Sequence, residues 1–126
     1  PRLTVIPLDT CRHVVLRRAR LAAIAEAAGT PLTRFLQRAH NHYMDSYRAS
    51  DGIDGCYPHD ALAIAALAEP GVFNLQTLAL ELSDDASFPG LLRESPHGRP
   101  VQIATAVDQR AALDWIEACI CAPAPH

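Results

Sequence analysis

The 126 residues contain no lysine; all eleven basic side chains are arginine, and 22 residues are alanine. That pairing is the composition expected of a GC-rich bacterial genome, a statement about codons rather than chemistry. There is no excess of positive charge either. The formal balance is −3, and a slightly acidic chain argues against a nucleic-acid surface. No apolar run approaches the roughly 20 residues that a membrane helix needs. The clearest run, Ala61 to Ala68, reads as a buried helix segment. No charged stretch followed by an apolar core and a cleavage site opens the chain, so no secretory leader is visible. No pair of C-x-x-C motifs exists among Cys11, Cys56, Cys119 and Cys121, which argues against structural zinc. Four cysteines at these spacings are also no disulfide framework, and reduced, buried thiols in a cytoplasmic protein are expected. Finally, the chain opens on Pro1 rather than Met, as if it began partway through something longer.

What is present is an ordinary globular composition, with 49% hydrophobic and 20% charged residues. A single domain of this size buries about 65% of its unfolded surface, enough for a core without staples. Leu3 to Leu8 is a branched apolar run that predicts a buried strand, with Asp9 and Thr10 at its end. His13 to Leu16 reads as a brief extended segment. Arg17 to Ala28 predicts a helix, with Leu21, Ile24, Ala25 and Ala28 on one face and Gly29 as the stop. Thr30-Pro31 opens a second helix to about Arg48, along which Leu32, Phe35, Leu36, Ala39, Tyr43 and Tyr47 share a face. Residues 51–55 form a loop by composition. A third helix runs from Asp60 or Ala61 to Ala68. Strands are expected at Leu75 to Leu82, at Leu91-Leu92 and at Val101 to Val107, with turns between them. Asp108 to Cys121 closes the chain as a helix with Ala112, Trp115, Ile116 and Cys119 inward, and Ala122 to His126 reads as a frayed tail. Strands alternating with helices favour an α/β layer architecture.

The strongest local feature is Gly55-Cys56-Tyr57-Pro58-His59-Asp60, running directly into the apolar helix ALAIAALA. An imidazole and a carboxylate at a helix entrance can serve one cleft. Histidine exchanges protons near neutral pH, and Asp60 is a hard oxygen donor suited to calcium or magnesium. The plain alternative is an Asp60 helix cap with His59 packed beside it. Other polar groups carry less. Arg12, Arg17, Arg18 and Arg20 read as a solvated helix start or an anion site. His40 and His42 point to different sides of a helix and cannot chelate one ion. Ser83-Asp84-Asp85 is an acidic turn.

The stretch Tyr43…Tyr47…Asp54-Gly55-Cys56-Tyr57-Pro58-His59-Asp60-Ala61-Leu62-Ala63-Ile64-Ala65 resembles the C-terminal signature of the inosine-uridine preferring nucleoside hydrolases. Val5-Ile6-Pro7-Leu8-Asp9-Thr10, Glu69-Pro70-Gly71-Val72-Phe73 and Val101 to Asp108 resemble further blocks of that family, in the same order. The resemblance implies an α/β fold, the C-terminal part of a mostly parallel, Rossmann-like open sheet flanked by helices. It implies hydrolysis of the N-glycosidic bond of a ribonucleoside, with a Ca²⁺ ion holding the ribose hydroxyls and a water. His59 matches the family's proton donor to the departing base, and Asp60 matches its C-terminal calcium ligand. Tyr43 and Tyr47 match a mobile helix whose side chains contact the base; their alternative reading is core packing. Asp9 matches a structural position and stays outside the site. The family's N-terminal Asp-x-Asp-x-Gly-x-Asp-Asp motif and central Asn/Glu/Asn cluster have no counterpart, and Asp51-Gly52-Ile53-Asp54-Gly55 lacks the Asp-Asp end. The chain is therefore expected to be the C-terminal segment, under half of the family's domain, and inactive alone. A homo-oligomer or a complementary N-terminal segment is the expected partner, with no nucleic acid and no membrane. The alternative is a non-catalytic remnant that binds a nucleoside or a partner chain.

Overall fold

The structure is a computed structural model describing residues 3–122. The frayed tail expected from Ala122 lies, beyond that residue, outside the described range. In chain order the elements are β1 (Thr4–Val5), α1 (Leu8–Cys11), β2 (Leu16–Arg17), α2 (Arg18–Ala28), α3 (Pro31–Asp51), β3 (Gly55–Cys56), α4 (His59–Ala68), a 3₁₀ turn (Pro70–Val72), β4 (Phe73–Leu82), β5 (Leu92–Glu94), β6 (Arg99–Val107) and α5 (Gln109–Cys121). Among the described residues no helix is long and apolar enough to cross a membrane.

The expected α/β open sheet flanked by helices is present, and its pairings within these residues are mixed. Four strands lie in the order β1-β6-β4-β5. β1 runs parallel to β6, while β4 is antiparallel to both β6 and β5. A register shift between Asn74 and Leu75 marks a bulge in the long β4–β6 ladder, where the Thr105 hydroxyl donates to the Asn74 carbonyl. The two-residue strands β2 and β3 form a second, antiparallel pair.

The apolar run Leu3–Leu8 does not continue as one strand. Pro7 has no N–H to give a ladder, and the chain turns there into α1, with the Cys11 N–H donating to the Pro7 carbonyl at 2.9 Å. Asp9 thus lies in the first turn of a helix rather than at a strand end. The buried Thr10 hydroxyl donates to the Ala104 carbonyl at 2.7 Å and docks α1 on β6.

Local punctuation places the next two helices. Gly29 ends α2 in the left-handed region at φ 61°, where a Cβ is costly. Thr30 caps α3 in a reciprocal capping box with Thr33, and Pro31 sits at its start. That helix runs three residues past Arg48, to Asp51. Its face of Leu32, Phe35 and Tyr43 is not a buried one: these side chains are exposed, while Thr33 and Met44 are buried. Cys119, expected to point inward from α5, is also exposed, as is Cys121; Cys11 and Cys56 are the buried thiols, and all four are free.

The core gathers one apolar cluster from every helix and from β2, β3, β4 and β6, including Leu21, Met44, Leu62 and Phe73. Arginines of α2 tie its flanks. Arg20 holds Asp114 at 2.7 Å and Glu117 at 2.8 Å on α5, and Arg18 holds Asp45 of α3 and Asp54 of the following loop. The arginine cluster of the sequence is therefore, at these two positions, tertiary ion pairing.

β2 and β3 approach closely at Gly55. A Cβ there would lie 2.7 Å from the Leu16 carbonyl oxygen, so Gly55→Ala forces the two strands apart. The expected loss is about 1–3 kcal/mol in urea denaturation. The same measurement checks the burial of α3: Met44→Ala costs about 2–5 kcal/mol, whereas Leu32→Ala stays within about 0.5 kcal/mol. Equal losses at the two positions would contradict this packing.

Candidate active site

Three elements converge on the His59-Asp60 pair. The β2–β3 ladder pairs Leu16 with Cys56 and Arg17 with Gly55, so the chain leaves the core at Cys56 and reaches α4 through Tyr57 and Pro58. The His59 N–H donates to the Tyr57 carbonyl and the Leu62 N–H to the Pro58 carbonyl, each at 3.0 Å. α4 therefore begins at His59, one residue before its expected start. No side chain caps it, so the Asp60 carboxylate is not spent as a helix cap and remains exposed in the first turn. Negative charge is favoured at that end of a helix.

His59 and Asp60 stand on the wall between two adjoining cavities. The larger, of about 600 Å³, is lined on its far side by Thr4 and Ile6 of the β1 segment, Cys11 of α1, and Leu75 and Gln102 of the sheet. The smaller, of about 290 Å³, is lined by His40 and Tyr43 of α3 and by Cys56, Tyr57 and Pro58. The His59 Nδ1 atom is buried and has no hydrogen-bond partner among the described residues. A buried ring nitrogen without a partner is costly, and it leaves the imidazole free to pair with something else.

An unbroken aromatic chain runs from α3 to the imidazole. Tyr43 and Tyr47 meet edge to face at 4.9 Å, Tyr47 and Tyr57 do so at 5.0 Å, and the Tyr57 ring lies 5.8 Å from that of His59. Such T-shaped pairs suit the ring quadrupoles. The Tyr43 and Tyr47 hydroxyls are 2.9 Å apart and share a hydrogen bond. That bond first, and burial second, push the Tyr47 phenol up to about 12. Tyr47 therefore stays protonated at neutral pH and serves as a brace rather than as an acid or base. Burial pushes the Cys56 thiol up to about 11, which keeps it a neutral packing group beside the site.

Of the residues singled out from the sequence, Tyr43, His59 and Asp60 share one cavity, and Tyr47 stands behind Tyr43 without lining it. Two neighbours went unassigned. Tyr57 links the helix pair to the imidazole, and its place two residues before His59 was the available signal. His40 reads as solvated helix polarity, yet it is half-buried, bonds the Leu36 carbonyl through Nδ1 at 2.9 Å and lines the same cavity as His59. Its spacing from Tyr43, one short helical step, was the only hint. His42 is exposed, as read, and the Ser83–Asp85 turn satisfies its own backbone groups.

Calcium takes six to eight oxygen ligands. Among the described residues no three of His, Cys, Asp and Glu gather closely enough to hold a metal ion. Asp60 offers a single carboxylate, so these residues do not by themselves form a calcium site.

The comparisons with known proteins agree on the fold. A plant nucleoside hydrolase superposes with a TM-score of 0.85 at 21% identity, over 97% of this chain and 42% of its own. A purine-preferring ribonucleoside hydrolase from Gardnerella vaginalis gives 0.84 at 20% identity, over 95% and 40%. An inosine-uridine preferring nucleoside hydrolase from Bacillus anthracis gives 0.70 at 18% identity, over 95% and 37%. The chain thus spans about two fifths of the length of these relatives. No curated protein matches it in sequence. The sequence model of one family, however, matches residues 1–114, and across that stretch lie β1 to β6, the His59-Asp60 pair and the aromatic chain; the chain belongs to the inosine-uridine preferring nucleoside hydrolase family.

Proposed function

We propose that this chain supplies the base-side wall of a nucleoside hydrolase site. The observation that carries the reading is the partnerless His59 Nδ1 at the end of the Tyr43–Tyr47–Tyr57 chain, beside a cavity that Asp60 also lines. Cleavage of an N-glycosidic bond sends the C1′–N electron pair onto the base, and an acid that protonates the base as it leaves lowers the barrier. His59 is the residue for that proton. Tyr43, with Tyr47 bracing its hydroxyl, offers the leaving base an aromatic edge and a hydrogen-bonding group. Asp60 contributes one carboxylate toward a cation whose remaining oxygens come from outside these residues. The attacking water and the group that takes its proton are not assigned to this chain.

A second reading rests on a different observation. β1 has no partner on its outer edge among the described residues, and Leu3, Leu8, Phe88 and Leu91 are exposed around it. Val5, Leu8, Phe88 and Ile103 line a cavity of about 510 Å³ there. An open edge with apolar surroundings favours association with another chain, either a second copy or a complementary segment of the same family.

Ligand-linked stability separates the two readings. Inosine or uridine, titrated with Ca²⁺ present, raises the thermal midpoint saturably, by the equivalent of about 2.7 kcal/mol at a hundredfold excess over Kd. His59→Ala abolishes most of that rise, and where a complementary N-terminal segment supplies the remaining oxygens, Asp60→Asn removes the Ca²⁺-dependent part of the rise. Where hydrolysis is reconstituted with a complementary N-terminal segment, His59→Ala lowers kcat by about 10²–10⁴-fold. No midpoint shift at any nucleoside concentration, together with a concentration-dependent dimer in sedimentation, would sink the first reading in favour of the second.

A further inference from the structure

α3 is 21 residues long and buries only Thr33 and Met44. Met44 is its one fully buried apolar side chain, Tyr47 is only partly buried against the core cluster, and Leu32, Phe35 and Tyr43 face solvent. One side chain also ties its second half to the segment that leads into β3. Arg18, at the first position of α2, donates from Nη2 to Asp45 Oδ1 at 2.7 Å and from Nε to Asp54 Oδ1 at 2.8 Å. Its Nη1 lies 3.4 Å from the Asn41 carbonyl oxygen, and its own backbone N–H donates to the Asp54 carbonyl at 3.1 Å.

The two carboxylates belong to the two arms of the aromatic chain. Asp45 lies between Tyr43 and Tyr47 on α3. Asp54 immediately precedes Gly55 and Cys56, which lead into Tyr57 and His59. Two acids brought together without a cation repel each other, and a guanidinium fork spans both where an ammonium holds one. We propose that Arg18 is a positioning residue: by gripping Asp45 and Asp54 at once it sets the Tyr47–Tyr57 contact, and through it the width of the cavity between Tyr43 and His59. The clamp stands on geometry alone; its effect on ligand rests on the nucleoside reading above. Both carboxylates are more than half exposed, and exposed pairs add little to global stability, so removing the clamp shifts local geometry far more than the melting point.

Ring-proton cross-peaks in the full chain test this without any ligand. In Arg18→Gln the Tyr47–Tyr57 cross-peak is lost while the Tyr43–Tyr47 cross-peak, internal to one helix, persists. Asp45→Asn, which releases only the α3 arm, gives the same pattern and carries the test if Arg18→Gln fails to fold. Retention of the Tyr47–Tyr57 cross-peak in the folded variants overturns the proposal. So does loss of all tertiary cross-peaks in both, which would make Arg18 a general structural residue. Inosine titration then separates the two claims. Where the wild-type chain binds inosine, Arg18→Gln raises Kd by about 2–30-fold, and an unchanged Kd overturns the positioning role. Where the wild-type chain does not bind, the nucleoside reading fails and the cross-peaks alone decide the clamp.

Discussion

Gly55 lies against the Leu16 carbonyl oxygen so closely that any side chain there would push the two strands apart. That approach lets two residues of β2 pair with two of β3, and much of the site hangs from this pairing. It pins Cys56 in the core, sends Tyr57 outward toward α3, and starts α4 at His59. The pair is short, and a two-stranded ladder of this length would not persist alone in water. It persists here because Leu16 and Cys56 are both buried in the common apolar cluster. Burial supplies the free energy, and the glycine supplies the geometry.

α3 is held in another way. Its sequence is amphipathic, yet much of its apolar face meets solvent, and its grip on the rest of the molecule is narrow. The capping box at Thr30 defines where it begins, Met44 anchors it, and Asp45 in its second half pairs with Arg18. Polar pairing of this kind orients more than it stabilises. The same logic appears on the other side of α2, where Arg20 grips Asp114 and Glu117 of α5. One short helix thereby carries ion pairs to two longer ones. In a chain with no lysine, both clamps use the side chain whose planar fork can hold two carboxylates at once.

The site combines a neutral brace with an available ring. Tyr47 is locked in its protonated form by Tyr43 and by burial, so the aromatic chain passes shape to the His59 cavity rather than charge. Asp60, uncapped and exposed, is the negative group nearest to the imidazole in sequence. A lone carboxylate at a helix start is poor at holding a divalent ion, because hard cations ask for many oxygens. The chemistry proposed for these residues is therefore proton donation and orientation on one wall of a cleft.

Much of this was legible from residues alone. Gly29, Thr30 and Pro31 marked the end of α2 and the start of α3, because capping is decided within about four residues of chain. The β4, β6 and α5 segments followed from their periodicity, to within a residue or two. The His59-Asp60 block and its tyrosines were visible as a motif, and the family match over residues 1–114 agrees with the family it resembled. The tertiary structure decided the rest. It broke Leu3–Leu8 at Pro7 and docked Thr10 on a carbonyl 94 residues away. It left Leu32 and Phe35 in solvent, put His40 and Tyr57 around the imidazole, and turned two arginines of a charged helix start into clamps. The division has one physical cause. Helix limits and strand periods depend on neighbours along the chain, whereas burial, ring-to-ring contact and ion pairing depend on which distant segments are brought alongside.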